Sequence, residues 1–176
     1  SAATTSAAPQ ISHDIAGQDV LAGITRFDVE SQNLLLRGGD GDDRLLGGDS
    51  QYGGTGNDDL GNSRFMFGGE GDDVFNAGGE VYGGAGDDQA FRSGGGQVDL
   101  GSGDDLLQVT TGSTPGNFGT LTATLGDGAD RLVFDPTGHD DITLNATDFD
   151  VAEDILGVIG SPTELANLTL TRSYDA

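Results

Sequence analysis

The chain has 176 residues, enough for one domain with short extensions, and 30 Asp and Glu against 7 bases give it a formal charge of −23. All seven bases are arginine, so nucleic acid and anionic lipid are repelled as partners, whereas cations are attracted, divalent ones most. With no cysteine a disulfide framework is excluded, and with 32 glycines and only 41 Leu, Ile, Val and Phe a large conventional core is not expected unless bound metal ions support it.

Residues 1–10, SAATTSAAPQ, are small and polar and read as a flexible linker. They carry neither the basic n-region nor the apolar h-region of a signal peptide. No apolar run anywhere approaches the ~18 residues of a membrane span. Residues 11–37 bring Ile15, Leu21, Ile24, Phe27 and Leu34 to Leu36, and are expected to form an N-terminal cap or first coil. Within them DIAGQDVLA, from Asp14, is a degenerate copy of the pattern that follows.

That pattern begins at residue 38. GGDGDDRLL, GGTGNDDLG, GGEGDDVFN and GGAGDDQAF start at Gly38, Gly53, Gly68 and Gly83, a spacing of 15 residues each time, which marks a structural repeat. Two later copies, LGSGDDLLQ from Leu100 and LGDGADRLV from Leu125, have Leu in place of the first glycine. Position six is always aspartate: Asp43, Asp58, Asp73, Asp88, Asp105 and Asp130. Position eight is apolar at Leu45, Leu60, Phe75, Ala90, Leu107 and Leu132. A three-residue strand with one inward side chain per layer predicts a thin core built as ladders.

These segments resemble the calcium-binding nonapeptide GGxGxDxUx of RTX (repeats-in-toxin) proteins, U being a large apolar residue, over roughly residues 38–134. The resemblance implies an all-β fold, a parallel β-roll or β-solenoid. In it the first six residues of each copy form a turn, the last three form a short strand, and calcium sits between consecutive turns. Calcium takes six to eight oxygens, backbone carbonyls included. The metal-ligating residues so implied are Gly38, Asp40, Gly41, Asp42 and Asp43 in the first copy, and Gly53, Gly56, Asn57 and Asp58 in the second. Gly68, Gly71, Asp72 and Asp73 follow in the third, and Gly83, Gly86, Asp87 and Asp88 in the fourth. The last two copies add Gly103, Asp104 and Asp105, then Asp127 and Asp130. Position-six aspartates are the principal ligands, with positions five and three weaker candidates. Six turns imply up to five Ca2+ ions.

The family's usual coil is two nonapeptides with calcium turns on both edges. Here each nonapeptide is followed by a hexapeptide, GGDSQY, NSRFMF or AGGEVY, none of which carries GxD. Calcium is therefore expected on one edge only, opposite a tight turn. Met66, Val81 and Val98 are one candidate inward set for the second strand, with Gln51 the exception. Tyr52, Phe67 and Tyr82, also spaced about 15 apart, are the other, and periodicity over three residues leaves both open. If outward, these aromatics could form a sugar-stacking strip. After Gly83 the register loosens, and TTGSTPGNFG (110–119) predicts a loop bulging from the roll.

Residues 135–176 are expected to cap the other end. NATDFDVAEDILGV (145–158) is similar to the TDFD…D-I segment that closes RTX rolls. In SPTELANL, Ser161, Pro162 and Glu164 predict a helix start, and LTLTR alternates like a strand. Catalytic candidates are few: His13 and His139 are the only histidines, and FDPTGHD (134–140) gathers Asp135, His139 and Asp140 in what is also ordinary turn punctuation. The expectation is a non-enzymatic, calcium-dependent folding module of a secreted RTX-type protein, located extracellularly or at the cell surface. Export by type I secretion machinery follows from the resemblance. The alternative is an adhesive or carbohydrate-binding module, with extracellular polysaccharide or self-association as its partner.

Overall fold

A computed structural model describes residues 10–12, 20–22, 34–110, 117–135 and 141–160. Among them there is no helix, and fourteen strands pair in one continuous, wholly parallel sheet. This is the parallel β-roll that the repeat predicts. The strands are β1 (Gln10–Ser12), β2 (Val20–Ala22), β3 (Leu35–Asp40), β4 (Arg44–Leu46), β5 (Ser50–Thr55), β6 (Asp59–Glu70) and β7 (Val74–Ala85). They continue with β8 (Gln89–Arg92), β9 (Gly96–Ser102), β10 (Leu106–Thr110), β11 (Asn117–Thr124), β12 (Arg131–Asp135), β13 (Asp141–Ala146) and β14 (Ile155–Val158).

Two stacks run side by side. The rear stack follows the acidic turns and contains β2, β4, the first halves of β6 and β7, and then β8, β10, β12 and β14. The front stack precedes those turns and contains β1, β3, β5, the second halves of β6 and β7, and then β9, β11 and β13. Parallel pairing therefore continues beyond residues 38–134 at both ends, through β1 and β2 and through β13 and β14.

The rear triplets explain themselves. The register aligns Leu21, Leu45, Leu60, Phe75, Ala90, Leu107, Leu132 and Leu156 in one row, and from Leu45 to Leu132 this central residue points inward as a buried ladder, whereas Leu156 at the end of the stack is exposed. Leu45, Leu60, Ala90 and Leu107 are wholly buried. Each buried large aliphatic contributes about 1.5–3 kcal/mol of transfer free energy. On the front stack the inward ladder is Leu36, Gln51, Met66, Val81, Val98 and Ala123, which decides between the two aromatic and aliphatic alternatives. Tyr52, Phe67 and Tyr82 face outward.

Gln51 departs from the sequence expectation. It is fully buried in the apolar ladder, because its Nε2 donates to the carbonyls of Gly47 (2.7 Å) and Gly61 (2.9 Å) and so ties the hexapeptide turn to the next coil. The turns on this edge are tight, with Gly47 and Gly48 in this coil at φ 80° and 86° and Asn62 in the next at 56°, all left-handed. Where the register loosens the roll widens: Arg92, Val109 and Phe134 add a further buried column to the rear stack. Residues 111–116 of the expected bulging loop, and the SPTELANL and LTLTR segments, lie outside the described residues.

Candidate metal-binding edge

The turns between front and rear strands stack into one edge, and three side-chain columns run along it. Position three supplies Asp40, Thr55, Glu70, Ala85, Ser102 and Asp127; position five supplies Asp42, Asn57, Asp72, Asp87, Asp104 and Ala129. Position six supplies the six aspartates that never vary.

The position-six carboxylates do not lie on the surface. Asp43, Asp58, Asp73, Asp88, Asp105 and Asp130 are between 0 and 3% exposed, turned into the roll beside the front strands. From Asp58 onward, the Oδ1 atom of each accepts the backbone N–H of the position-six residue one coil earlier. Asp43 N–H donates to Asp58, Asp58 to Asp73, Asp73 to Asp88, Asp88 to Asp105 and Asp105 to Asp130, at 2.7–2.9 Å. The Oδ2 atoms of Asp58, Asp73, Asp88, Asp105 and Asp130 are buried with no hydrogen-bond partner. Such an atom carries a desolvation penalty that nothing on the chain offsets.

In the four copies that begin with glycine, that first glycine is what leaves room for this carboxylate. A Cβ at Gly68 would collide with Asp73 Oδ2 and lie 2.7 Å from the Gly83 carbonyl oxygen. Two acceptor oxygens thus border the same small gap. The position-four glycines serve the neighbouring layer: Gly56 sits at φ 116° with the Gly41 carbonyl oxygen aimed at its Cα, and the same contact recurs from Gly56 to Gly71 and from Gly71 to Gly86.

Position five stitches the coils in the opposite direction. Asp42 Oδ1 accepts from Asn57 N–H, Asn57 Oδ1 from Asp72, Asp72 from Asp87, Asp87 from Asp104 and Asp104 from Ala129, at 2.8–2.9 Å. These side chains are exposed. At position three Thr55 donates its hydroxyl to Asp40 at 3.1 Å. Among the described residues, no three histidine or carboxylate side chains converge as a metal-binding group.

Burial is the main electrostatic influence. Desolvation, opposed by the N–H bond from the previous coil and reinforced by neighbouring carboxylates, pushes Asp58 up to about 6 and Asp73, Asp88 and Asp105 up to about 7. Asp130 is raised for the same leading reason, with Asp154 and Asp148 as the nearest like charges.

The C-terminal segment ends the position-six ladder and caps the start of the last turn, a role for which residue type alone gave no signal beyond the TDFD string. Asp148 accepts Leu125 and Gly126 N–H, one on each oxygen at 2.8 Å, and Asp154 accepts Asp130 N–H at 3.0 Å, as a seventh position-six residue would. With Asp127, Asp150 and Glu153 they line a cleft of about 450 Å³. Of the catalytic candidates only Asp135 is described; His13, His139 and Asp140 lie outside the described residues. The Tyr52, Phe67 and Tyr82 rings stack on one another, centroids 4.6 and 4.8 Å apart and nearly parallel, so their faces meet each other and their edges face solvent. Comparison with protein-family models, with curated proteins and with solved structures finds no match in any of the three.

Proposed function

We propose that the chain is a calcium-dependent structural module of RTX type from a secreted or cell-surface protein, with no catalytic activity of its own. The observation that carries this reading is the column of buried position-six carboxylates, in register coil after coil, of which Asp58, Asp73, Asp88, Asp105 and Asp130 each keep an oxygen that no donor reaches. Two carboxylates one strand spacing apart repel by ~3–4 kcal/mol at an effective dielectric near 20. A column of such pairs destabilises the fold unless protons or cations are bound along it.

The donor set suits a hard divalent cation. It contains carboxylate oxygens and backbone carbonyls and no sulfur or imidazole, which favours calcium over softer metals. Because side-chain carboxylates do not converge in threes, a bound ion would take much of its coordination from the glycine carbonyls of the turns. Asp58, Asp73, Asp88 and Asp105 would supply charge from within, with Asp42, Asp72, Asp87 and Asp104 outside. Bound calcium supplies the positive charge that lets all these groups remain ionised at neutral pH.

Extracellular modules bind calcium at about 10⁻⁴–10⁻³ M, so the ion would act as a folding switch once the chain has left a calcium-poor cytosol by type I export. Circular dichroism with and without EGTA tests the dependence, and a β spectrum indifferent to the chelator would sink it. Bound calcium per chain, counted by equilibrium dialysis, is expected near five for an edge loaded on one side only. A count near ten contradicts the one-edge arrangement.

A further inference from the structure

The outward face of the front stack carries a pattern that the calcium reading does not use. Along the stack the register aligns Arg37, Tyr52, Phe67, Tyr82 and Asp99 in one column. Arg37 lies over the Tyr52 ring at 4.9 Å, and the three rings stack without a break. Two residues earlier on each strand, a second outward column runs through Leu35, Ser50, Phe65 and Glu80. Tyr52 is 37% exposed, and Phe67 and Tyr82 beside it are half-buried.

Read from either end, the first column is complementary to its own reverse: a cation, an aromatic, a central phenylalanine, an aromatic, an anion. We propose that this face joins two copies of the chain across a two-fold axis that runs along the strand direction through the Phe65–Phe67 rung. That operation reverses the column. It sets Arg37 against Asp99 of the second copy, Tyr52 against Tyr82 of the second copy, and Phe65 and Phe67 against their own counterparts. An isologous contact requires such self-complementarity. The arrangement also has the anatomy of a specific interface, with aromatic edges at the centre and charges at the rim. Five rungs span about 19 Å, long enough to fix one register.

The rim pairs select the orientation more than they add affinity, since an unreversed alignment would set Arg37 against Arg37 and Asp99 against Asp99, and a slipped one would leave the charges unpaired. The −23 charge of each copy opposes association, so the dimer is expected to tighten as calcium is added. The interface and the calcium reading fail separately: a chain that folds without calcium would still dimerise through this face, and a calcium-bound chain that stays monomeric overturns only the interface.

Sedimentation velocity on the whole chain in millimolar calcium and in EGTA tests it, with circular dichroism confirming that each variant keeps its β spectrum. The expected result is a dimer whose dissociation constant rises at least tenfold in R37D and in D99R, and returns toward the starting value in the combined swap. A chain that stays monomeric at every concentration overturns the proposal. So does a dimer indifferent to both single substitutions, or a combined swap no better than its parents.

Discussion

Asp73 shows in one side chain how the turns balance opposing demands. Its Oδ1 satisfies the Asp58 N–H, while its Oδ2 is buried without a partner beside the first glycine of its own copy and the carbonyl of the next. D73N keeps the acceptor and places an amide where the unpartnered oxygen stood. It is expected to raise the melting temperature of the calcium-free chain and to lower calcium uptake by about one ion, read by thermal melts in EGTA and by equilibrium dialysis. D73A removes the acceptor as well and is expected to destabilise both states, by about 1–3 kcal/mol. The column also sets a pH dependence. Folded values near 6 to 7 stand above the unfolded value of 3.8, so the folded chain holds extra protons between these limits. Stability from these groups is complete below about pH 4 and is lost as pH rises through 6 to 7. In EGTA, acidification from pH 8 to 5 should therefore increase the β signal and the melting temperature, and a flat response would contradict a buried carboxylate column.

At the scale of the element, each coil depends on glycine in two different ways. Position one is glycine for want of space: in G68A the added Cβ meets Asp73 Oδ2 and the Gly83 carbonyl. Position four is glycine for backbone conformation as well, and G56A would force alanine to φ 116° against the Gly41 carbonyl. Each substitution is expected to cost about 1–3 kcal/mol in calcium and more of the folded population in EGTA, measured by urea titration. The strand triplets rest on their central residue. L60A removes a fully buried rung between Leu45 and Phe75 and is expected to cost about 2–5 kcal/mol. Ala90 already occupies the equivalent rung of its own coil, so A90G should be mild by comparison.

For the molecule as a whole, the two directions of side-chain stitching make neighbouring coils interdependent. Position six reaches back one coil and position five reaches forward, so removing one turn orphans backbone groups on both sides. Unfolding by urea in calcium is accordingly expected to be cooperative across the 15-residue coils rather than coil by coil. Charge acts at this scale too. Five divalent ions add ten charges and bring −23 to −13, so calcium should compact the chain and still leave it soluble.

The repeat was legible because one backbone solution recurs every 15 residues, and each recurrence needs glycine, aspartate and an apolar residue at the same places. Those local demands determined the acidic turns, the tight turns opposite and the ladder from Leu45 to Leu132, and the resemblance to RTX nonapeptides implied that they stack as a parallel roll. Tertiary structure decided what local pattern cannot encode. Alternation over three residues did not say which of Met66 or Phe67 faces inward; stacking of whole coils did, by burying Met66 and Val81 and lining the rings up outside. The inward position of Gln51 depends on carbonyls four and ten residues away. That the position-six aspartates point into the roll follows only once the preceding coil presents its N–H to be satisfied. The ends follow the same logic, since Asp154 completes the position-six ladder and Asp148 caps the last turn, each bonding backbone groups more than twenty residues earlier, a distance that no local motif spans.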